Sequence, residues 1–236
     1  MSSIETLITE KGIRERWYPQ AVERYRAAIK LDSAVPHVWE LRQNLSYSLQ
    51  YIEFLELEFK ELNVSSVIYT MLCKSYVITG MSILEGIFSN IIKSNGWWKR
   101  STLESIGETT SNETNFGDKK YVVKTALFKR VDEYDLQMTL DEMINKLVNH
   151  HEALGINHLD YPVMKRLRQM RNRVHLQMIS GQNDHDYNAF NWETKHEMQT
   201  ILYHVLTSPK ITDYPQYFEF LNPGDTAQRT EQSPGE

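Results

Sequence analysis

The 236-residue chain is poor in residues that staple or interrupt helices: one cysteine, ten glycines and seven prolines. A lone thiol, Cys73, excludes an internal disulfide and the small stapled folds that depend on one, and it fits a reducing, cytoplasmic setting. Scarce glycine and proline leave room for long helices. The first ten residues have neither a basic n-region nor an apolar core, so no signal peptide is expected. The most apolar region, residues 64–92, is interrupted by Lys74, Gly80 and Glu85. It falls short of the roughly 20 near-continuous apolar residues of a membrane span, so a central helix and no membrane association are expected. Also missing are a Gly-rich phosphate loop, a Cys-x-x-Cys pair and a Gly-x-Ser-x-Gly elbow. Their absence removes P-loop and serine-hydrolase chemistry and gives no reason to expect a cofactor. Basic charge is in deficit as well: the net charge of −5 argues against a general nucleic-acid coat, which needs a basic surface.

What is present is helical periodicity. Val38, Leu41, Leu45, Ile52, Leu55, Phe59 and Leu62 recur at helical spacing, predicting a helix over residues 36–62 with Pro36 at its first position. Residues 65–94 carry apolar side chains on most faces, as in a helix at the centre of a bundle, and Asn95-Gly96 suits a left-handed end. Thr139 and Glu142 form a capping-box signature ahead of a helix through Leu140, Ile144, Leu147, His151 and Leu154, closed by Gly155. A further helix is predicted from Asp160, as N-cap, to Ile179, with Gly181 ending it, and another around Met198, Ile201, Leu202 and Val205, stopped by Ser208-Pro209. Residues up to Leu31 are expected to add one or two short helices.

Residues 97–120 are polar and without a clear period, and residues 121–128 suit either a short strand or a return to helix. The expected fold is therefore all-α: a single domain over residues 1–221, with four to five principal helices and an irregular insertion at about 97–131 between the second and third. Residues 222–236 lack Leu, Ile, Val and aromatics and read as a disordered tail.

The chemistry concentrates on the helix from Asp160. Val163, Leu167, Met170 and Val174 form an apolar stripe, while Arg168, Arg171 and His175, at i, i+3 and i+7, form a second stripe rotated by about 100°. Lys165, Arg166 and Arg173 add charge, and no acid occurs between Tyr161 and Asn183. Guanidinium groups hold phosphate through forked hydrogen bonds, and a nearby imidazole moves protons near neutral pH. A solvated face is the competing reading, with the arginines paired to acids such as Asp141, Glu142 or Glu152. Glu85 on the central helix is a further candidate partner for an arginine.

Arg171-Asn172-Arg173-Val174-His175 resembles the Arg-Asn…His element of the HEPN superfamily, helical bundles with an Arg-x4–6-His motif on a late helix. Arg168 to His175 has six intervening residues, and the Arg-Asn pair at 171–172 stands closer to His175 than the family spacing. The resemblance implies a homodimer with the two motif helices facing each other. It also implies metal-independent endoribonuclease activity, as in a toxin or defence effector. His175 would act as general acid or base, Arg168 or Arg171 would stabilise the pentavalent phosphate, and Asn172 would orient the histidine or bind phosphate. Lys165, Arg166 and Arg173 would bind RNA. The alternative it implies is a non-catalytic domain that dimerises and binds RNA, a nucleotide or a protein partner such as an antitoxin.

Two other groups are weaker. His150, His151 and His158 lack the spacing of a metal site, so no metal is expected, and His151 falls on the apolar face. Trp97-Trp98-Lys99-Arg100 sets aromatics beside charge, as in base stacking, but these indoles are expected to close the end of the central helix.

Overall fold

A computed structural model describes residues 17–174 and 185–224. The central element is α3 (Ser66–Ser94), against which α2 (Val38–Glu61) packs after a four-residue turn. Both match the predicted periodicity to within a few residues. The start of α2 differs: His37, at φ 60°, forms the N-cap, so Pro36 stands outside the helix instead of at its first position. A short α1 (Val22–Ala28) lies against α2, and residue 29 bridges back to Thr212.

The middle of α3 is buried on most of its faces, from Cys73 through Tyr76, Val77, Met81, Leu84 and Ile87 to Phe88, with Ser82 at the solvent side. By length and composition α3 would also satisfy a membrane span, but half of its most apolar window is enclosed by the rest of the bundle. A second neighbour, α7 (Trp192–Thr207), approaches at Gly80, where an added Cβ would stand 2.8 Å from Met198 Cγ. Glycine here is a packing requirement, because no larger residue fits that contact without displacing the methionine.

The third principal helix, α4 (Leu140–Asn149), begins with the predicted capping box: Thr139 N donates to Glu142 Oε2 at 2.8 Å and Glu142 N donates to Thr139 Oγ1 at 3.3 Å. It stops at Asn149, and a single 3₁₀ turn over His151–Ala153 leads to Gly155, whose φ of 63° lies in the left-handed region that favours glycine. His151 consequently leaves the apolar face and is half exposed at its side chain, contrary to its periodic position. The bundle is completed by α5 (Asp160–Arg171), α6 (Asp186–Ala189) and a closing 3₁₀ segment at Pro215–Leu221. Residues 1–16, residues 175–184, including the predicted helix end at Ile179 and Gly181, and the tail beyond residue 224 lie outside the described residues.

The all-α expectation fails at the insertion. Residues 100–135 form an antiparallel ribbon in which β1 (Arg100–Thr110) pairs with β4 (Lys124–Asp135). At its tip β2 (Thr114–Phe116) pairs with β3 (Lys119–Tyr121) around Gly117-Asp118. Gly117 has φ 62°, the positive value that two-residue hairpin turns demand. The ribbon escapes the usual sequence signal because both faces are solvent-exposed along almost its whole length. With no buried face, no apolar–polar alternation is imposed on the strands.

Candidate functional site

α5 buries Asp160, Tyr161, Met164 and Leu167, with Val163 and Met170 half-buried at the margin. The buried face is thus centred one step away from the predicted stripe, and Arg168 and Arg171 lie beside it, half-buried. Each of the two meets an acid from a different helix. Arg171 Nη2 stands 2.7 Å from Glu85 Oε2 of α3, and Arg168 Nε stands 3.2 Å from Asp141 Oδ1 of α4. The Arg168 contact is an ion pair without hydrogen-bond alignment, so its buried Nε–H has no hydrogen-bond partner among the described residues. Arg166 pairs with Glu197 of α7 at the exposed surface. Lys165 and Arg173 are half-buried, and Asn172 is exposed.

These contacts divide the sequence expectations. Of the acids named beforehand, Asp141 and Glu85 take up motif arginines. Glu142 serves the capping box and Lys99, and Glu152 lies near His150 and His151. The helix itself is shorter than expected. It ends at Arg171, and Asn172–Val174 form a 3₁₀ turn. A 3₁₀ turn advances about 120° per residue against 100° in the α-helix, so the i, i+3, i+7 stripe does not continue unchanged past Arg171. His175 lies outside the described residues.

The Trp97 indole stacks on the His150 ring, with centroids 3.9 Å apart and planes 12° from parallel. Trp98 donates its indole N–H to Leu136 O at 2.9 Å, and Lys93 sits over its ring. Both indoles pack against the core, the arrangement expected of residues that close the end of α3. His151 and His158 approach each other, with ring centroids at 4.3 Å, yet no group of three potential ligands capable of holding a metal occurs among the described residues. An open cleft of about 570 Å³ is bordered by Lys30, Asp32, Asn90, Asn95, Trp97 and Lys210, and no basic residue of α5 lines it.

Sequence reasoning missed a buried polar group between α2, α3 and α7. Lys195 Nζ donates to Glu56 Oε2 at 2.9 Å and to Gln199 Oε1 at 2.8 Å, and it lies 5.0 Å from the ring centroids of Phe59 and Tyr76. Burial pulls the Lys195 ammonium below its ordinary range, opposed by Glu56, and pushes the Tyr76 phenol well up, with Glu56 reinforcing the rise. Burial also raises the Cys73 thiol to about 12. The side chain is also fully enclosed, and a buried thiol in apolar surroundings is unreactive. The available signal was Lys195 and Gln199 one turn apart on an otherwise apolar helix face.

Comparison with protein-family models, curated proteins and solved structures yields no match to this chain. The functional reading therefore rests on the residues themselves.

Proposed function

We propose that the chain is a HEPN-type, metal-independent endoribonuclease whose site is built around the C-terminal end of α5. The observation that carries this reading is the anchoring of Arg171 by Glu85, at 2.7 Å, with the arginine side chain still about a third exposed. A guanidinium has five donors in a planar fork, and one carboxylate leaves several of them free. An arginine held from behind in this way is preorganised to meet a phosphate without losing side-chain freedom at the moment of binding. Asn172 follows it at the surface, and His175 comes three residues later in the chain.

The reaction fits these residue types. The 2′-hydroxyl of a ribose attacks the adjacent phosphorus, the O2′–P bond forms and the P–O5′ bond breaks. The 2′ proton leaves to a base, and the departing 5′ oxygen receives one. His175 supplies one of these transfers, a role worth typically 10²–10⁴-fold, while Arg171, with Arg168 beside it, stabilises charge on the pentavalent phosphate. Lys165, Arg166 and Arg173 extend the contact along the RNA backbone, and two copies of the site face each other in a homodimer. A role as a toxin or defence effector, restrained by a protein antitoxin, is consistent with such an activity.

One observation favours a second reading, a non-catalytic domain that binds RNA, a nucleotide or a protein partner. Arg166, Arg168 and Arg171 each already have a carboxylate neighbour, which lowers the positive field offered to a polyanion. Incubating purified protein with mixed-sequence RNA in excess chelator separates the two. The nuclease reading predicts cleavage that spares DNA and is lost in His175→Ala. Saturable RNA binding without cleavage supports the binding domain, and equal cleavage by wild type and variant removes His175 from the chemistry.

A further inference from the structure

The β1–β4 ribbon leaves the bundle at the end of α3 and exposes apolar side chains to solvent along its length: Leu103, Ile106, Leu127 and Phe128 on the body, Phe116 and Val123 toward the tip, each between 44% and 81% exposed. Leu103 and Phe128 lie toward one face, with register partners Arg130 and Ser105, and Leu127 lies toward the other. Two-stranded ribbons without a third strand or a helix to cover them are marginal in water. This one has neither among the described residues.

We propose that the ribbon is an exchange arm: one of its faces packs on a second copy of this chain, across the exposed aromatics of the partner's α2, and the partner's arm does the same in return.

Three observations select a second copy. The first is area. Twelve residues of β4 span about 40 Å, and two strands with their side chains are about 10 Å wide, so one face offers about 400 Å². Covering it hides about 800 Å² in total, below the 1,200–2,000 Å² of a stable interface, whereas two arms exchanged across a two-fold axis hide about 1,600 Å². The second is charge. Residues 100–135 carry six basic and seven acidic side chains, interleaved and near neutral in sum, which complements another copy of itself and offers little to a polyanion. The third is the receiving surface. Trp39, Tyr47 and Tyr51 of α2 are 59%, 54% and 43% exposed and occupy an arc of about 120° over about 18 Å of helix. Leu41 and Leu45 of α2 meet Gly86 of α3, so this stripe begins at the same end of the bundle from which the arm departs.

The face, not the edge, makes the contact. Register shifts between Ser101 and Leu103 and between Ser105 and Gly107 distort the strands, and bulges and charged side chains discourage strand-to-strand extension. The inference does not rest on the ribonuclease reading, because neither arm nor stripe includes a motif residue.

Sedimentation equilibrium of the full chain at tens of micromolar tests it, beside an arm variant (Leu127→Lys with Phe128→Glu) and a stripe variant (Trp39→Ala with Tyr47→Lys). The wild type is expected to be a dimer, and each variant to weaken the dimer at least 100-fold while keeping the helical circular dichroism of the wild type. Mixing a Leu127→Cys population with a Tyr47→Cys population is expected to give interchain disulfides between the two, with Cys73 remaining buried. A monomeric wild type overturns the proposal, and so does a monomer that binds RNA through an intact arm. A dimer that persists in both variants also overturns it and leaves the interface to the motif helices.

Discussion

The pair between Lys195 and Glu56 gives the sharpest stability prediction. Both side chains are about 95% buried, the ammonium touches both carboxylate oxygens at 2.8 and 2.9 Å, and Gln199 takes a further hydrogen bond. Replacing Glu56 by glutamine preserves shape but leaves an ammonium without a counter-charge among Phe59, Tyr76 and Cys73. Breaking a buried pair from one side costs about 3–5 kcal/mol, because the abandoned charge has lost its water and gained nothing. In a chain of this size each kcal/mol moves the thermal midpoint by about 2–4 °C, so Glu56→Gln is expected to lower it by about 6–20 °C. Lys195→Met is expected to do the same from the other side. The double variant Glu56→Leu with Lys195→Met removes both charges and is expected to recover most of the loss. Because burial lowers the Lys195 pKa in the folded state, the unfolded chain binds more protons between the folded value and 10.5, and stability rises with pH through that window. Urea titration followed by circular dichroism measures the wild type and all three variants. Single variants that each lose less than about 1 kcal/mol, or a double variant as unstable as the sum of the two, would refute the argument.

Further expectations follow from individual contacts. Thr139→Ala breaks the capping box of α4 and is expected to cost about 1 kcal/mol, read as a fall of about 2–4 °C in thermal midpoint. Gly80→Val forces a side chain against Met198 and is expected to cost about 1–3 kcal/mol in urea denaturation. Burial raises the Glu53 carboxyl above its ordinary 4.5, opposed by hydrogen bonds from Gln20 and Tyr25. The folded state then holds a proton that the unfolded state has released, so this stabilising term is complete below 4.5 and fades as pH rises through the folded value. Glu53→Gln is expected to remove that dependence in a pH series of midpoints. Glu85→Gln is expected to lower the catalytic rate on RNA less than Arg171→Ala does, since it loosens the guanidinium without deleting it.

How much of this was legible beforehand depends on whether a residue's surroundings are local. The long helices were, because Leu45, Leu49, Ile52 and Leu55 on α2 repeat at the spacing that buries them. The Thr139–Glu142 cap was, because its four residues supply both partners. Glu85 as a partner for a motif arginine was also readable, being a lone carboxylate on an apolar helix. The ribbon was not, since strands exposed on both faces have no alternation to show, although Gly117-Asp118 between β-prone segments carried a hairpin signal. Neither was the departure of His151 from its periodic face, which follows from the helix stopping at Asn149. The Lys195 network required knowing that α2 and α7 meet across α3, a fact of the fold and not of any one segment.

The ends of the RNA fragments test the chemistry proposed at the end of α5 most directly. After incubation with wild-type protein in excess chelator, attack by the neighbouring 2′-hydroxyl is expected to leave 2′,3′-cyclic phosphates and free 5′-hydroxyls, and Arg171→Ala and His175→Ala are each expected to slow their appearance at least 100-fold. Fragments with 5′-phosphates and 3′-hydroxyls, or cyclic ends that form equally fast in both variants, would contradict it.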